Sequence, residues 1–308
     1  MMAGVRTPGD GPIGVVVVTH NSSAVLERCL RSLADGAPQR GVEVRVVDNA
    51  SRDHSADLAA GIVGAERAIR RSTNDGFAAG VNAGLACLDT EWLMVLNPDT
   101  HVPPGALDRL VTVLAANPRA GLIGPRVVDE HGHRESTAGR FPTAARERSH
   151  ALQFDRLLGR EGRTRNFPAA TGPVDWVSGC AWLLRAEAVR AVGVLDEEYF
   201  MYFEDVDYGR RLWDGGWQVL ATPDVQLVHL LGRGSSSTSV LPADGGGAAV
   251  RYLRKFLPAT EADAAVRWLR LGWRVRWAWR SVRAALGDTR SRTLARRYRL
   301  ALDTTAGA

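Results

Sequence analysis

Cysteine is scarce in this sequence. Cys29, Cys87 and Cys180 are the only three in 308 residues, and they are widely separated. That excludes a disulfide framework and any cysteine-based metal cluster, and it fits reduced thiols in a cytosolic protein. No apolar run approaches the ~20 residues that cross a bilayer. Residues 1–12 carry Gly and Pro but no apolar signal core, which argues against secretion. The first apolar run ends in Thr19-His20-Asn21-Ser22, with no Gly-x-Gly-x-x-Gly turn, and no Gly-Lys-Ser/Thr loop occurs. A dinucleotide dehydrogenase and a P-loop enzyme are therefore disfavoured. Charge of one sign is not in large excess: 39 basic residues face 34 acidic ones.

What remains is an ordinary globular composition, 45% hydrophobic and 24% charged, long enough for a sizeable core. Ile13–Thr19, Val42–Val47, Glu66–Arg71 and Trp92–Leu96 read as strands. Between them lie helical patterns after Ser22-Ser23, after Ser51–Asp53 and from Asn74-Asp75-Gly76 to about Leu88, and Pro103–Ala116 follows as another helix. This alternation predicts an α/β fold, a doubly wound and mostly parallel sheet. Polar residues follow the strand exits: Thr19 and Asn21, Asp48, then Asn97 and Asp99. Ligands of open α/β sheets bind beyond the carboxyl ends of the strands, so these groups can converge on one site. Each also has a plain reading as a turn or loop starter. Asp99 is an oxygen ligand suited to Mg²⁺ or Mn²⁺.

Further along, Val174–Cys180 reads as an apolar strand, followed by a short helix and a Gly-Val-Leu-Asp turn. An aromatic block (Tyr199, Phe200, Tyr202, Phe203) then precedes Glu204, Asp205 and Asp207 at a helix start. Apolar surroundings raise a carboxylate's pKa and make it a candidate general base. An acidic helix start also complements the helix dipole with no catalytic role. Asp207 is spaced to pair with Arg210 or Arg211. Ala120–Val128 is apolar and leads to a predicted hairpin at Asp129–Gly132. His131 and His133 on that turn read as surface residues. The stretch 140–173 reads as irregular: a loop over the site, an acceptor-facing segment or a linker. Trp217–Ala221 and Val225–Leu230 read as two short strands.

The ordered set Val-Val-Val-Val-Thr-His-Asn, Val-Val-Asp-Asn-Ala-Ser, Asn-Asp-Gly-Phe-Ala-Ala-Gly-Val-Asn, Leu-Asn-Pro-Asp, Ser-Gly-Cys and Phe-Glu-Asp-Val-Asp, running from Ile13 to His229, resembles glycosyltransferase family 2. These are inverting enzymes with the GT-A fold, and the chain looks most like the bacterial rhamnosyltransferase branch. The resemblance implies that Thr19, Asn21 and Asp48 hold the base and ribose of a nucleotide sugar. Asn74, Gly76, Phe77, Asn82 and Asn97 would line the nucleotide and sugar. Asp99 matches the last Asp of the metal motif, with Asn97 in place of the first. Asp205 matches the general base, with Glu204 orienting base or acceptor. His229 matches a family metal ligand, although a lone His at a strand end also has a structural reading. Trp176 and Gly179 fall on the acceptor side, where Trp176 has two readings, a sugar-stacking ring or core packing. Gly232–Ser237 reads as a flexible loop that could bring Arg233 to the diphosphate.

The C-terminus changes character. Eleven arginines lie between positions 267 and 299 against one acid, Asp288. Trp268, Leu271, Val275, Trp279 and Val282 fall on one helical stripe flanked by arginines, with Trp273 and Trp277 away from it. This predicts an interfacial helix on an anionic membrane. Packing of the stripe on the catalytic domain, or on a second subunit in a homo-oligomer, is the alternative. No nucleic-acid reader motif accompanies it, so nucleic acid is not expected as a partner. The expected organisation is a flexible stretch 1–12, a GT-A domain 13–257 (nucleotide-sugar half 13–116, acceptor and catalytic half 117–257) and a basic helical extension 258–308. The expected activity, implied by the resemblance, is transfer of L-rhamnose from dTDP-rhamnose to a polyprenyl-linked or polysaccharide acceptor of the cell envelope, on the cytoplasmic face of the membrane. A UDP-hexose donor, or a silent GT-A-like glycan-binding module, stands against it.

Overall fold

The computed structural model describes residues 11–37, 40–152, 167–230 and 244–306. The anticipated alternation is present. Strand β1 (Ile13–Thr19) is followed by helix α1 (Ser23–Asp35), β2 (Val42–Asn49), α2 (Ser55–Val63), β3 (Ala68–Arg71), α3 (Phe77–Leu85), β4 (Trp92–Leu96), the two-residue β5 (Thr100–His101) and α4 (Ala106–Ala115). Every residue of β1 and β4 is buried, which explains their continuous apolar runs. Of the capping candidates Ser22, Ser23, Ser51 and Asp53, neither Ser22 nor Ser51 caps a helix with its side chain, while the Asp53 carboxylate accepts from Ser23 N–H through one oxygen and from Ser55 N–H and Oγ through the other. One anion thus holds the N-termini of α1 and α2 together, and these bonds depress its pKa, with the Ser55 hydroxyl contributing most.

The second half adds β6 (Ala120–Asp129), β7 (Ala138–Gly139), α5 (Ala144–Ala151), β8 (Gly172–Val174), β9 (Trp176–Val177), β10 (Ala181–Arg185), α6 (Ala186–Val192), α7 (Glu204–Asp214) and β11 (Gln218–His229). The main sheet runs β3-β2-β1-β4-β10-β6-β11-β5, with β8 also on β11. β3-β2-β1-β4 and β6-β11 are parallel, whereas β10 is antiparallel to both of its neighbours. The chain is therefore a mixed α/β fold with a mostly parallel sheet. Three expectations change. The strand predicted over Val174–Cys180 is broken into β8 and β9, and β9 leaves the main sheet to pair with β7. The stretch from Arg140 contains a helix, α5, opened by Thr143, whose hydroxyl accepts from Arg146 N–H. The two strands predicted over 217–230 are one strand, β11, with a register shift between Thr222 and Gln226 that the apolar breaks at Thr222–Asp224 had mimicked.

Helices α1 and α4 cover one face of the sheet through residues such as Leu26, Leu30, Leu107 and Leu110. Helices α3, α6 and α7 cover the other through Val81, Val189, Tyr208 and Leu212. A third core lies between the segments around β9 and the start of α7 and three C-terminal helices, α8 (Asp244–Phe256), α9 (Ala259–Ala285) and α10 (Thr289–Ala306). There Trp176, Tyr199, Phe203 and Val206 meet Tyr252, Leu253, Val266 and Trp273. The face of α9 that packs is Ala262, Ala265, Val266, Leu269, Gly272 and Trp273. The predicted stripe is a different face: Leu271, Val275, Trp279 and Val282 are exposed and Trp268 is half-buried. Arg276 donates to the His150 carbonyl, so α5 is tied to α9. No described helix is long and apolar enough to cross a membrane. The predicted Arg233 loop lies outside the described residues.

Candidate active site

The site is built at the carboxyl ends of β1, β2 and β4. Thr19 and Asp48 are register partners at the ends of their strands. Both are buried, and Thr19 Oγ1 and one Asp48 oxygen have no hydrogen-bond partner. The other Asp48 oxygen accepts from Ser51 N–H at 3.0 Å. Next to it, Asn49 donates to the Gly76 carbonyl at 2.9 Å while its own carbonyl oxygen lacks a partner. Leaving buried polar atoms unmatched costs about 1–3 kcal/mol each, so three of them at adjacent strand ends mark a place for a polar ligand. Asn21 is held beside them with a positive φ of 51°; its Oδ1 accepts from Arg52 N–H and its N–H donates to Ser51 Oγ.

Beyond β4, Asn97 donates its N–H to the Cys180 carbonyl, and the chain turns through Asp99 into β5, which pairs with the end of β11. This brings Asp99 Oδ1 to 2.9 Å from His229 Nε2. Both atoms are buried, and their approach lacks hydrogen-bond alignment. The other ring nitrogen, Nδ1, is 3.1 Å from both oxygens of Glu135. A carboxylate on one side of an imidazole, with the other nitrogen turned toward a second carboxylate, is the arrangement by which proteins orient a metal-binding histidine. Burial opposes charge on His229, but Asp99 and Glu135 outweigh it and push the pKa up to about 10. Two donors, one O and one N, suit Mn²⁺ or Mg²⁺ when diphosphate and water oxygens complete the shell. Among the described residues no group of three or more His, Cys, Asp or Glu side chains is arranged to hold a metal alone. Glu135 is a residue that sequence reasoning missed.

The third component is the start of α7. Tyr202 and Phe203 both have φ near +70°, a conformation that is costly for aromatic residues and persists only where the surroundings enforce it. They turn the chain so that Glu204 and Asp205 open the helix. Asp205 is half-buried and accepts from Val206 N–H at 2.8 Å. Glu204 is buried with one oxygen unpartnered; burial, and then the neighbouring Asp205 charge, raise its pKa well above the usual value. At the pH where Asp205 is an anion, Glu204 is held toward its protonated form. Cys180 ties the parts together. Burial pushes its thiol up to about 12, and the fields of Glu135, Asp99 and Asp205 add to that rise. The charges of three carboxylates from three segments thus act on one buried thiol just before β10.

Other candidates are placed differently. Trp176 is only 7% exposed, donates Nε1–H to the Arg140 carbonyl, and lies where Gly139 and Gly209 leave room. Of its two readings, core packing is the one the geometry supports. Asn82 uses its amide on the Leu195 backbone, in both directions, and on Glu197, bracing α3 against the segment before α7. Asn74 accepts from Gly76 N–H within its turn. Gly76, at φ 97°, presses on the Phe200 carbonyl, which accepts from Phe77 N–H; a methyl group there would lie 2.2 Å from that oxygen. Gly179 is buried against the Phe77 ring. Asp207 pairs with Arg211, not Arg210.

The profile of Glycosyl transferase family 2 matches residues 14–193. An N-acetylglucosaminyl-diphospho-decaprenol L-rhamnosyltransferase of Mycobacterium tuberculosis is 33% identical over 231 residues, covering 70% of this chain and 75% of that protein. A low-salt glycan biosynthesis hexosyltransferase, Agl10, of Haloferax volcanii is 26% identical over 142 residues, covering 45% of this chain and 43% of that protein. Among solved structures, a mannosyltransferase from Pyrobaculum calidifontis, in complex with GDP-Man and Mn²⁺, superposes with a TM-score of 0.56 at 16% identity, over 96% of this chain and 86% of that one. GalNAc-T7 with UDP, GalNAc and Mn²⁺ gives 0.57 at 18% identity over 79% of this chain, which spans only 47% of that longer protein. The fold is that of the GT-A enzymes. With the matched profile, the ordered motifs and the rhamnosyltransferase relative in agreement, the chain belongs to glycosyl transferase family 2 and is a glycosyltransferase.

Proposed function

We propose that this glycosyltransferase moves L-rhamnose from dTDP-rhamnose, with inversion, onto a polyprenyl-diphosphate-linked acceptor used in cell-envelope glycan synthesis. The observation that carries the catalytic reading is the Asp99–His229–Glu135 cluster at the strand ends, with Asp205 near enough for its charge, like those of Asp99 and Glu135, to act on Cys180. The donor and the lipid carrier rest on the decaprenol-dependent relative. Asp205 accepts the proton of the acceptor hydroxyl as that oxygen attacks the anomeric carbon from the face opposite the diphosphate. Glu204, buried beside it, orients the acceptor or the base. Thr19, Asn21, Asp48 and Asn97 hold the nucleotide sugar, with Asn49 added to that set. Asp99 and His229 would hold Mg²⁺ or Mn²⁺, which supplies neutralising charge to the leaving diphosphate. Asn74, Gly76, Phe77 and Asn82 set the shape of the donor side rather than contact the donor.

The same reading puts the enzyme on the inner face of the cell membrane, with the exposed α9 stripe and its flanking arginines against anionic lipid. Co-sedimentation of the full chain with vesicles rich in anionic lipid, compared with a Leu271→Ser/Trp279→Ser variant, tests this; equal binding by both removes it. The transfer reading is tested by turnover over a panel of nucleotide sugars with and without Mn²⁺ or Mg²⁺. Metal-enhanced, selective use of dTDP-rhamnose is the expected result. Preference for a UDP-hexose keeps the mechanism and overturns the donor, and binding without turnover of any donor returns the silent module.

A further inference from the structure

Of the 39 lysine and arginine residues, Lys255 is the only lysine. It lies on α8, in the C-terminal layer, yet its ammonium reaches back to the catalytic half. Nζ is 2.6 Å from Asp207 Oδ1 and 2.6 Å from Asp196 Oδ2. The Asp207 side chain is fully buried in the first turn of α7, two residues after Asp205, and its second oxygen accepts from Arg211 Nε at 2.7 Å. Arg211 in turn donates to the carbonyls of Val192 and Val194. Asp196 opens the segment that runs through Tyr199 and Phe200 to the strained pair Tyr202 and Phe203. One ammonium therefore bridges the loop before the catalytic carboxylates and the helix that bears them. The helix itself starts at Phe203 without a side-chain cap. A compact point charge with three donors can bridge two carboxylates in this way, where the planar guanidinium fork favours pairing with one.

We propose that Lys255 is a positioning residue for the transfer reaction: by clamping Asp207 to Asp196 it fixes the turn at Tyr202-Phe203 and hence the direction in which Asp205 presents its carboxylate. The C-terminal helical layer is then a working part of the active site through the support that it gives α7. The inference rests on the functional reading above. Because the clamp acts on the base and not on the strand ends that hold the nucleotide, its loss separates turnover from donor binding.

The test uses the full chain and its Lys255→Met and Lys255→Arg variants. Nucleoside diphosphate binding counts competent sites by titration calorimetry, and steady-state transfer gives kcat per site and KM for the donor. Loss of positioning predicts that kcat per site falls about 10- to 100-fold in Lys255→Met, while the donor KM and the nucleotide Kd stay within about twofold. Lys255→Arg should recover part of kcat, because it restores the charge but not the compact geometry. A merely structural role would lower the number of binding-competent sites and leave kcat per site unchanged; that result overturns the proposal. So does a Lys255→Arg variant no better than Lys255→Met. A wild-type chain that binds no nucleotide or transfers no sugar overturns the functional reading instead, and this inference with it.

Discussion

The two halves of the catalytic edge are built in opposite ways. On the side proposed for the nucleotide, polar groups come directly from the ends of buried or part-buried strands, and rigidity comes from the sheet ladder: Thr19 and Asp48 are register neighbours, and Thr19 Oγ1 and one Asp48 oxygen are left unpaired. On the catalytic side, Glu204 and Asp205 follow a loop with two aromatic residues at positive φ, and rigidity is imposed from outside by Asp196, Lys255, Arg211 and the third core. A sheet can present a binding surface without help. A base that must face an incoming hydroxyl at a defined angle needs a loop, and the loop needs a clamp.

The contrast can be attacked at its strongest point first. Asp205→Asn should reduce transfer by about three orders of magnitude or more while nucleotide binding, measured by calorimetry, stays near wild type. Loss of binding in that variant would merge the two halves into one. At the junction with the metal pair, Glu135→Gln should raise the Mn²⁺ concentration needed for half-maximal turnover about 10- to 100-fold, because the His229 ring loses the partner that orients it. In the third core, Trp273→Ala should cost about 3–5 kcal/mol of unfolding free energy in denaturant titration, whereas Trp279→Ala, 61% exposed on the same helix, should change it by about 0.5 kcal/mol or less.

The smallest effect concerns pH. Burial raises the Asp196 pKa, but the bond to Lys255, the Glu198 N–H and the charges of Lys255 and Arg211 together outweigh it and leave it lowered. A depressed pKa gives stability that is present above the ordinary value of 3.8 and lost as pH falls through the lower folded value. Lys255 is raised above 10.5, so its contribution is present below that value and lost as pH rises through the folded one. Asp196→Asn should therefore cost about 1 kcal/mol or less between roughly pH 5 and pH 9, with the gap to wild type closing toward either extreme.

How much of this was legible in the sequence follows the same divide. β1 and β4 announce themselves because strands buried on both faces must be apolar throughout, and the polar residues that follow them stand out; β2 is marked by the Val run before Asp48, despite Glu43 and Arg45 in its half-buried first part. Asn49 was passed over because Asp48 beside it carried the charge. Glu135 left no local signal; it reaches His229 only because the turn at Asp129–Gly132 folds the chain back beside β6, where Glu135 N–H donates to Val127. The C-terminal helix misled for a physical reason. Its large apolar residues draw attention to the stripe of Leu271, Val275 and Trp279, but the face that packs is made of Ala262, Ala265 and Gly272 around Val266, Leu269 and Trp273. Small residues permit close approach and carry little periodic signal. Trp176 could not be placed from sequence because its pocket depends on Gly139 and Gly209, distant in the chain.

The contact of Gly76 with the Phe200 carbonyl has a meaning for how this enzyme can change over generations. The turn that starts α3 on the donor side and the loop that delivers the base touch through bare backbone, with Phe77 N–H bonded across at 2.9 Å. At this point no side chain intervenes, so any side chain at position 76 alters the spacing in one step, whereas the Asn82 bonds to Leu195 and Glu197 beside it brace it without setting it. On the proposed reading, the distance between sugar and base is set here by main chain, so a change at position 76 would be felt on both sides of the site at once.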